Sequence, residues 1–270
     1  MTQAPRPIGE MLRDWRQRRR FSQMDLALEA EISTRHLSFL ETGRSQPSRD
    51  MVLHLAEMLE VPLRDRNGLL IAAGYAPVFG ERGLDDPDLA AARRAIDTVL
   101  TAHDPFPALA VDRHWTLVAA NAALAPLMAG VEEASLLAGA VNVLRLSLHP
   151  GGLAPRILNL PEWRAHILAR LRRQIDVSGD GVLKDLMEEL AAYPAPKDRV
   201  SQVVREEEHG GVFVPIRMAS PLGDLAMFST TTVFGTPVDI TLSELAIEAF
   251  FPADAQTGQI FRDLAAARTA

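Results

Sequence analysis

Hydrophobic positions in the first quarter of the chain recur at helical spacing in short bursts, each bounded by a polar cap or a turn residue. Ile8, Leu12 and Trp15 stand four and three residues apart, which predicts a helix near 7–20 with one apolar face. Leu26, Ala27 and Ala30 mark a second helix, Leu37 and Leu40 a third, and Val52, Leu55, Ala56 and Leu59 a fourth. Ser22, with Asp25 three residues on, has the capping-box pattern, and Ser33 and Ser48 are N-cap candidates. Gly43 stands where a left-handed residue stops the third helix. Pro62 suits the first turn of a fifth, which Gly74 ends. Pieces this short are not stable alone, so the five must share one core.

The pattern then changes. Residues 75–104 carry Pro77, Gly80, Gly83 and Pro87 around one helical stretch at 88–100, which predicts a linker and a connecting helix. Residues 108–120 alternate, with a turn at Asp112-Arg113, and read as a hairpin. A short helix follows at 121–129. Trp163, Ile167, Leu168 and Leu171 give an amphipathic helix at 161–176, and another runs over 181–193. Strands are predicted at 212–218, 224–232 and 238–250, with turns at Pro221-Leu222-Gly223 and Gly235-Thr236-Pro237. The expected class is α+β. A five-helix all-α domain at 1–75 precedes a linker and connecting helix at 76–104, then an α/β domain with an antiparallel sheet at 105–270.

Charge sharpens this division. The whole chain is net −7, which argues against nucleic acid if spread evenly. It is not spread evenly: residues 1–50 hold nine arginines and seven acids. Six of those arginines precede residue 21, with Arg18, Arg19 and Arg20 consecutive. A charge run is commonly a solvated face, but it is also what meets phosphate, and screening confines each charge to about 8 Å at physiological salt. Cysteine is absent, which excludes disulfides, zinc-thiolate sites and cysteine nucleophiles. No secretory signal or membrane-spanning run is visible, and a cytoplasmic location is expected. No Gly-x-Ser-x-Gly elbow, phosphate loop or His-Glu-x-x-His is present, so no catalytic residue, metal or cofactor is expected. Glu206-Glu207-Glu208-His209 reads as a solvated loop in preference to a cation site.

The pair of short capped helices at 22–43 has the geometry that presents a helix to the DNA major groove. Arg16, Ser22-Gln23, Leu26-Ala27, Ile32-Ser33, Leu37, Leu40-Glu41, Gly43 and Pro47-Ser48 together resemble the lambda-repressor-like helix-turn-helix of the Xre family. The resemblance implies that Gln23 contacts phosphate and braces the recognition helix. It implies that Thr34, Arg35, Ser38 and Phe39 face the bases, and that Arg44 meets a backbone phosphate. Arg35 is the candidate for bidentate reading of a guanine edge. Arg16 and Glu41 correspond to a structural ion pair. One departure is Glu31, where such turns usually carry glycine; a positive φ there is costly or the turn is wider.

Residues 106–121, with Trp115 and Asn121, together with 142–150 and the helix at Trp163, resemble the PAS-like ligand-binding domain of MmyB-like transcription regulators. The family's later Trp-rich strand motif is missing from 200–218. The resemblance implies an apolar cavity for a small, fatty-acyl-like or other apolar ligand. Trp115, Leu117, Leu144, Trp163 and Phe213 are the lining candidates, and Asn121 and Arg145 the polar anchors. Plainer readings stand beside these: the apolar set as ordinary core, Arg145 paired with a nearby acid, Asn121 as a helix cap. The function expected is a sequence-specific, homodimeric transcription regulator with a double-stranded operator and a small ligand as partners. The alternatives are a C-terminal protein-interaction module, or an enzyme built around Arg145, His149 and Asn121.

Overall fold

The computed structural model describes residues 6–194, 214–237 and 239–269, and they form an α+β protein in two compact units. The first unit comprises the chain up to Arg82, joined by two short later segments, Asp176–Ser178 and Thr236–Ser243. Its helices are α1 (Ile8–Arg18), α2 (Gln23–Glu29), α3 (Thr34–Glu41), α4 (Arg49–Met58) and α5 (Leu63–Ala72).

Their starts follow from the predicted caps. Ser22 Oγ accepts from the Asp25 amide at 3.1 Å while the Ser22 amide donates to Asp25 Oδ2 at 3.0 Å, a complete capping box. That pairing holds the Asp25 carboxyl below its ordinary pKa. Ser33 Oγ accepts from the His36 amide and Ser48 Oγ from the Met51 amide. Pro62 is the residue before α5, one place earlier than a first-turn proline.

All five ends share one device. The residue after each cap is left-handed: Arg20, Glu31, Gly43, Glu60 and Gly74, with φ between 46° and 87°. The next amide then bonds back to a carbonyl five residues earlier, as in Phe21 to Arg16 and Ile32 to Ala27. The turn at Glu31 is therefore not wider: it closes like the others, with φ 53°. Three of the five left-handed residues carry a side chain, at a cost of about 1–2 kcal/mol each. The residues that follow those three, Phe21, Ile32 and Val61, join the core and help offset it. Leu12, Leu26, Leu37, Leu40, Leu55 and Leu59 are essentially inaccessible at its centre.

The second unit opens with α6 (Ala90–Ala102) and the hairpin β1 (Ala108–Val111) and β2 (Leu117–Ala120). The helices α7 (Ala125–Met128), α8 (Val143–Leu148), α9 (Leu160–Ser178) and α10 (Gly181–Ala192) follow. Next come β3 (Ile216–Met218), β4 (Leu225–Val233), the short α11 (Ile240–Ser243, within the first unit), β5 (Ala246–Pro252) and α12 (Ala255–Thr269). The strands form one antiparallel sheet in the order β2-β1-β5-β4-β3.

All four residues of β1 are buried because both faces of the sheet are covered there. Ala108 and Ala110 pack with Ile96 and Leu100 of α6. Leu109 and Val111 belong to the larger core, with Ile167, Leu171 and Met227. Small residues on one face and large ones on the other fit a strand squeezed between two layers.

Two predicted strands differ from the structure. The segment 238–250 is not one strand: Asp239 caps a helical turn by accepting from the Thr241 amide at 2.9 Å, and β5 begins at Ala246. The strand expected at 212–218 is described from Ile216 to Met218, with 212 and 213 outside the described residues. Asn142, to which no element was assigned, caps α8 through its Oδ1 at 3.1 and 3.0 Å from two amides.

Candidate functional site

In the first unit the outer face of α3 is open. Thr34 and Arg35 are exposed and Ser38 and Phe39 half-buried, while Leu37 and Leu40 on the opposite face are fully covered. Leu37 and Leu40 lie a turn apart, which aims the residues between them outward. The Arg35 guanidinium lies 5.2 Å from the centre of the Phe39 ring and that of exposed Arg44 lies 5.8 Å from it. One ring thus carries the cation of an α3 residue and that of a residue just beyond the helix.

The end of this helix is fixed from within. Arg16 of α1 reaches Glu41 through Nε at 2.5 Å and Nη2 at 2.9 Å. Its Nη1 donates to the Phe21 carbonyl. Glu41 raises the Arg16 pKa above its ordinary value. Gln23, the first residue of α2, donates to Glu41 Oε2 at 2.8 Å. One buried carboxylate thus ties α1, α2 and α3 together. Of the arginine run, Arg19 donates to the carbonyls of Leu59 and Glu60 and closes the end of α4.

The second unit contains a cavity of about 110 Å³ between the helices and the inner face of the sheet. Trp115, Leu117, Leu144 and Trp163 line it, and Phe213 lies outside the described residues. Trp115 enters it because it is the left-handed residue, φ 67°, of the β1–β2 turn. Asp112 Oδ1 holds that turn by accepting from the His114 and Thr116 amides, each at 2.8 Å.

The two expected polar anchors are not among the lining residues. The Asn121 amide is used by backbone: it accepts from the Ala108 amide and donates to the carbonyls of Phe106 and Leu100. It splices β1 to the end of α6. Arg145 forms a fork with Glu189 at 2.7–2.9 Å, and Tyr193 donates to the same carboxylate. That pair raises Arg145, lowers Glu189 and, with burial first, raises Tyr193. His149 accepts from the Gly151 amide.

Five polar lining residues were missed: Ser147, His166, Arg170, Ser229 and Glu248. Arg170 Nη2 and Nη1 donate to Glu248 at 2.6 and 3.3 Å, and Thr231 Oγ1 donates to Glu248 at 2.8 Å. The Arg170 guanidinium also covers the Trp115 ring at 4.4 Å. Trp163 stacks on His166 and donates its indole N–H to Ser147 at 2.9 Å. The signal was present: Trp163, His166, Ile167 and Arg170 recur at three- and four-residue steps along one face of α9.

Burial, with Arg170 and Arg173 adding repulsion, holds the His166 pKa below its ordinary 6.5 despite Glu248. The unfolded chain then binds this proton more readily than the folded one. The His166 contribution to stability is full above pH 6.5 and is lost as pH falls through the folded-state pKa. His166→Gln is expected to reduce the drop in urea midpoint between pH 7.5 and pH 5; an undiminished drop would assign it to other groups.

An open helix on a braced three-helix corner, followed by a sheet-and-helix domain around an apolar cavity, defines a DNA-binding transcription regulator with a ligand-binding domain. Comparison with known families agrees. A helix-turn-helix domain matches residues 7–69, and the MmyB-like transcription regulator ligand binding domain matches residues 92–264. The chain belongs to the MmyB-like transcription regulator family. No curated protein matches it. Among the described residues no helix is long and apolar enough to cross a membrane.

Proposed function

We propose that this chain is a cytoplasmic, non-enzymatic regulator that binds a palindromic operator as a homodimer and is controlled by a small apolar ligand in the second unit. The observation that carries the DNA reading is the outward face of α3, with Thr34 and Arg35 exposed and Ser38 and Phe39 half-buried, backed by fully buried Leu37 and Leu40. Arg35 reads a guanine edge, Arg44 takes a flanking phosphate, and Gln23 meets phosphate while holding Glu41. One α3 touches few bases, so tight binding needs two half-sites about 34 Å apart. A ligand acts on such a dimer only through differential affinity for its arrangements.

Arg35→Ala is expected to cost about 1–3 kcal/mol of operator binding and to relax specificity at one base pair. Operators selected from random duplexes, with affinities measured at fixed salt, test this. Unchanged specificity would remove Arg35 from the reading set.

The ligand reading rests on the cavity. Trp115, Leu117, Leu144 and Trp163 supply its apolar wall, while Asn121 and Arg145 are left to the structural bonds they already make. Its volume of about 110 Å³ is close to the roughly 150 Å³ of an engineered cavity that stays dry and takes benzene. Mass spectrometry of the small molecules carried by the purified protein tests occupancy.

A further inference from the structure

The charges in the cavity wall are already balanced. Arg170 and Glu248 are the charged residues lining it among those described, with His166 the other titratable one. The Glu248 side chain is 5 % exposed. Its carboxylate accepts from Arg170 Nη1 and Nη2 and from Thr231, while Thr231 Oγ1 also accepts from Arg170 Nη2 at 2.8 Å. Trp115 covers a face of the same guanidinium. An anionic head group reaching Arg170 must displace Glu248, stranding a buried carboxylate, or lie beside it as a like charge. Burial keeps His166 in its uncharged form near neutrality, so it adds no cation. What the wall offers instead is uncharged: the imidazole of His166, and the hydroxyls of Ser147 and Ser229.

Building on the reading of this cavity as a ligand site, we infer that it selects a neutral ligand. That ligand has an apolar body and one uncharged hydrogen-bonding group, such as an amide, hydroxyl or carbonyl, and is not a free carboxylate. Glu248 is the residue that sets this choice: it cancels Arg170, the cation that an acid would seek among the described lining residues. The apolar lining binds the body, and the paired charges at the corner reject an ionised head.

The test compares octanamide with octanoate, two probes of nearly equal shape and different charge, in displacing the neutral dye N-phenyl-1-naphthylamine from the full chain at pH 7.5. In the unaltered protein octanamide is expected to bind at least about tenfold more tightly, one pKa-unit equivalent of charge penalty. Glu248→Gln keeps an acceptor for Thr231 and Arg170 but uncovers the positive charge. It is expected to raise the octanoate-to-octanamide affinity ratio at least about tenfold. Octanoate binding as tightly as octanamide to the unaltered protein overturns the inference whether or not the variant folds. So does an unchanged ratio in a folded variant. If the dye binds nowhere, or neither probe displaces it, the ligand-cavity reading itself falls, and this inference with it.

Discussion

Glu41→Ala is expected to destabilise the first unit by about 3–5 kcal/mol, a large share of a small domain's total. Arg16 is 8 % exposed and Glu41 7 %, so water does not replace the lost carboxylate. The substitution strands the buried Arg16 guanidinium and removes the acceptor for Gln23. Chemical unfolding followed by far-ultraviolet circular dichroism measures the loss. Glu41→Gln, which keeps an acceptor but not the charge, should lose less. A loss below about 1 kcal/mol for the alanine variant would mean that the pair behaves as a solvated one. Operator affinity should fall with stability, because the same carboxylate anchors the end of α3.

Gly9→Ala is expected to destabilise the same unit, near the upper end of about 1–3 kcal/mol. Gly9 is buried in the first turn of α1, where the chain passes over the end of α3. A methyl group there would stand 2.5 Å from the Leu40 carbonyl oxygen and 2.6 Å from that of Glu41. Both obstacles are backbone, so no side chain can swing aside. Alanine's better helix propensity returns only about 1 kcal/mol. The unfolding midpoint decides the sign; a neutral or stabilising result would place α1 further from α3 than the structure does.

Much of this was legible from spacing. The starts of α2, α3 and α4 were written in Ser22, Ser33 and Ser48, because caps are local chemistry. The ends were less so: Arg20, Glu31 and Glu60 do not look like left-handed stops, and only packing of the next residue makes them so. The hairpin over 108–120 and helices α9 and α10 followed from periodicity, although the turn runs past the expected Asp112-Arg113 to take in Trp115. The helical turn at 240–243 did not, since Ile240 and Leu242 also fit an alternating strand and the Asp239 cap decides between them.

At the open face of α3 the sequence named residues on the outward side, Thr34 and Arg35 exposed and Ser38 and Phe39 half-buried, because a two-helix motif fixes which side faces out. In the cavity the apolar residues came from their periods, but the polar choice went to Asn121 and Arg145. Their partners, Phe106, Leu100 and Glu189, are brought to them by the folded chain. Glu248 pairs with Arg170 across a strand and a helix far apart in sequence, which no local pattern announces.

The strand order carries a consequence for biosynthesis. β5 occupies the middle of the sheet, hydrogen-bonded to β1 on one side and β4 on the other. A chain emerges from the ribosome amino end first, so β1 waits with an unsatisfied edge until nearly everything else has been translated. The five early helices join mostly near neighbours and need no such delay. A message broken off before Ala246 would therefore leave β1 and β4 without the strand that joins them.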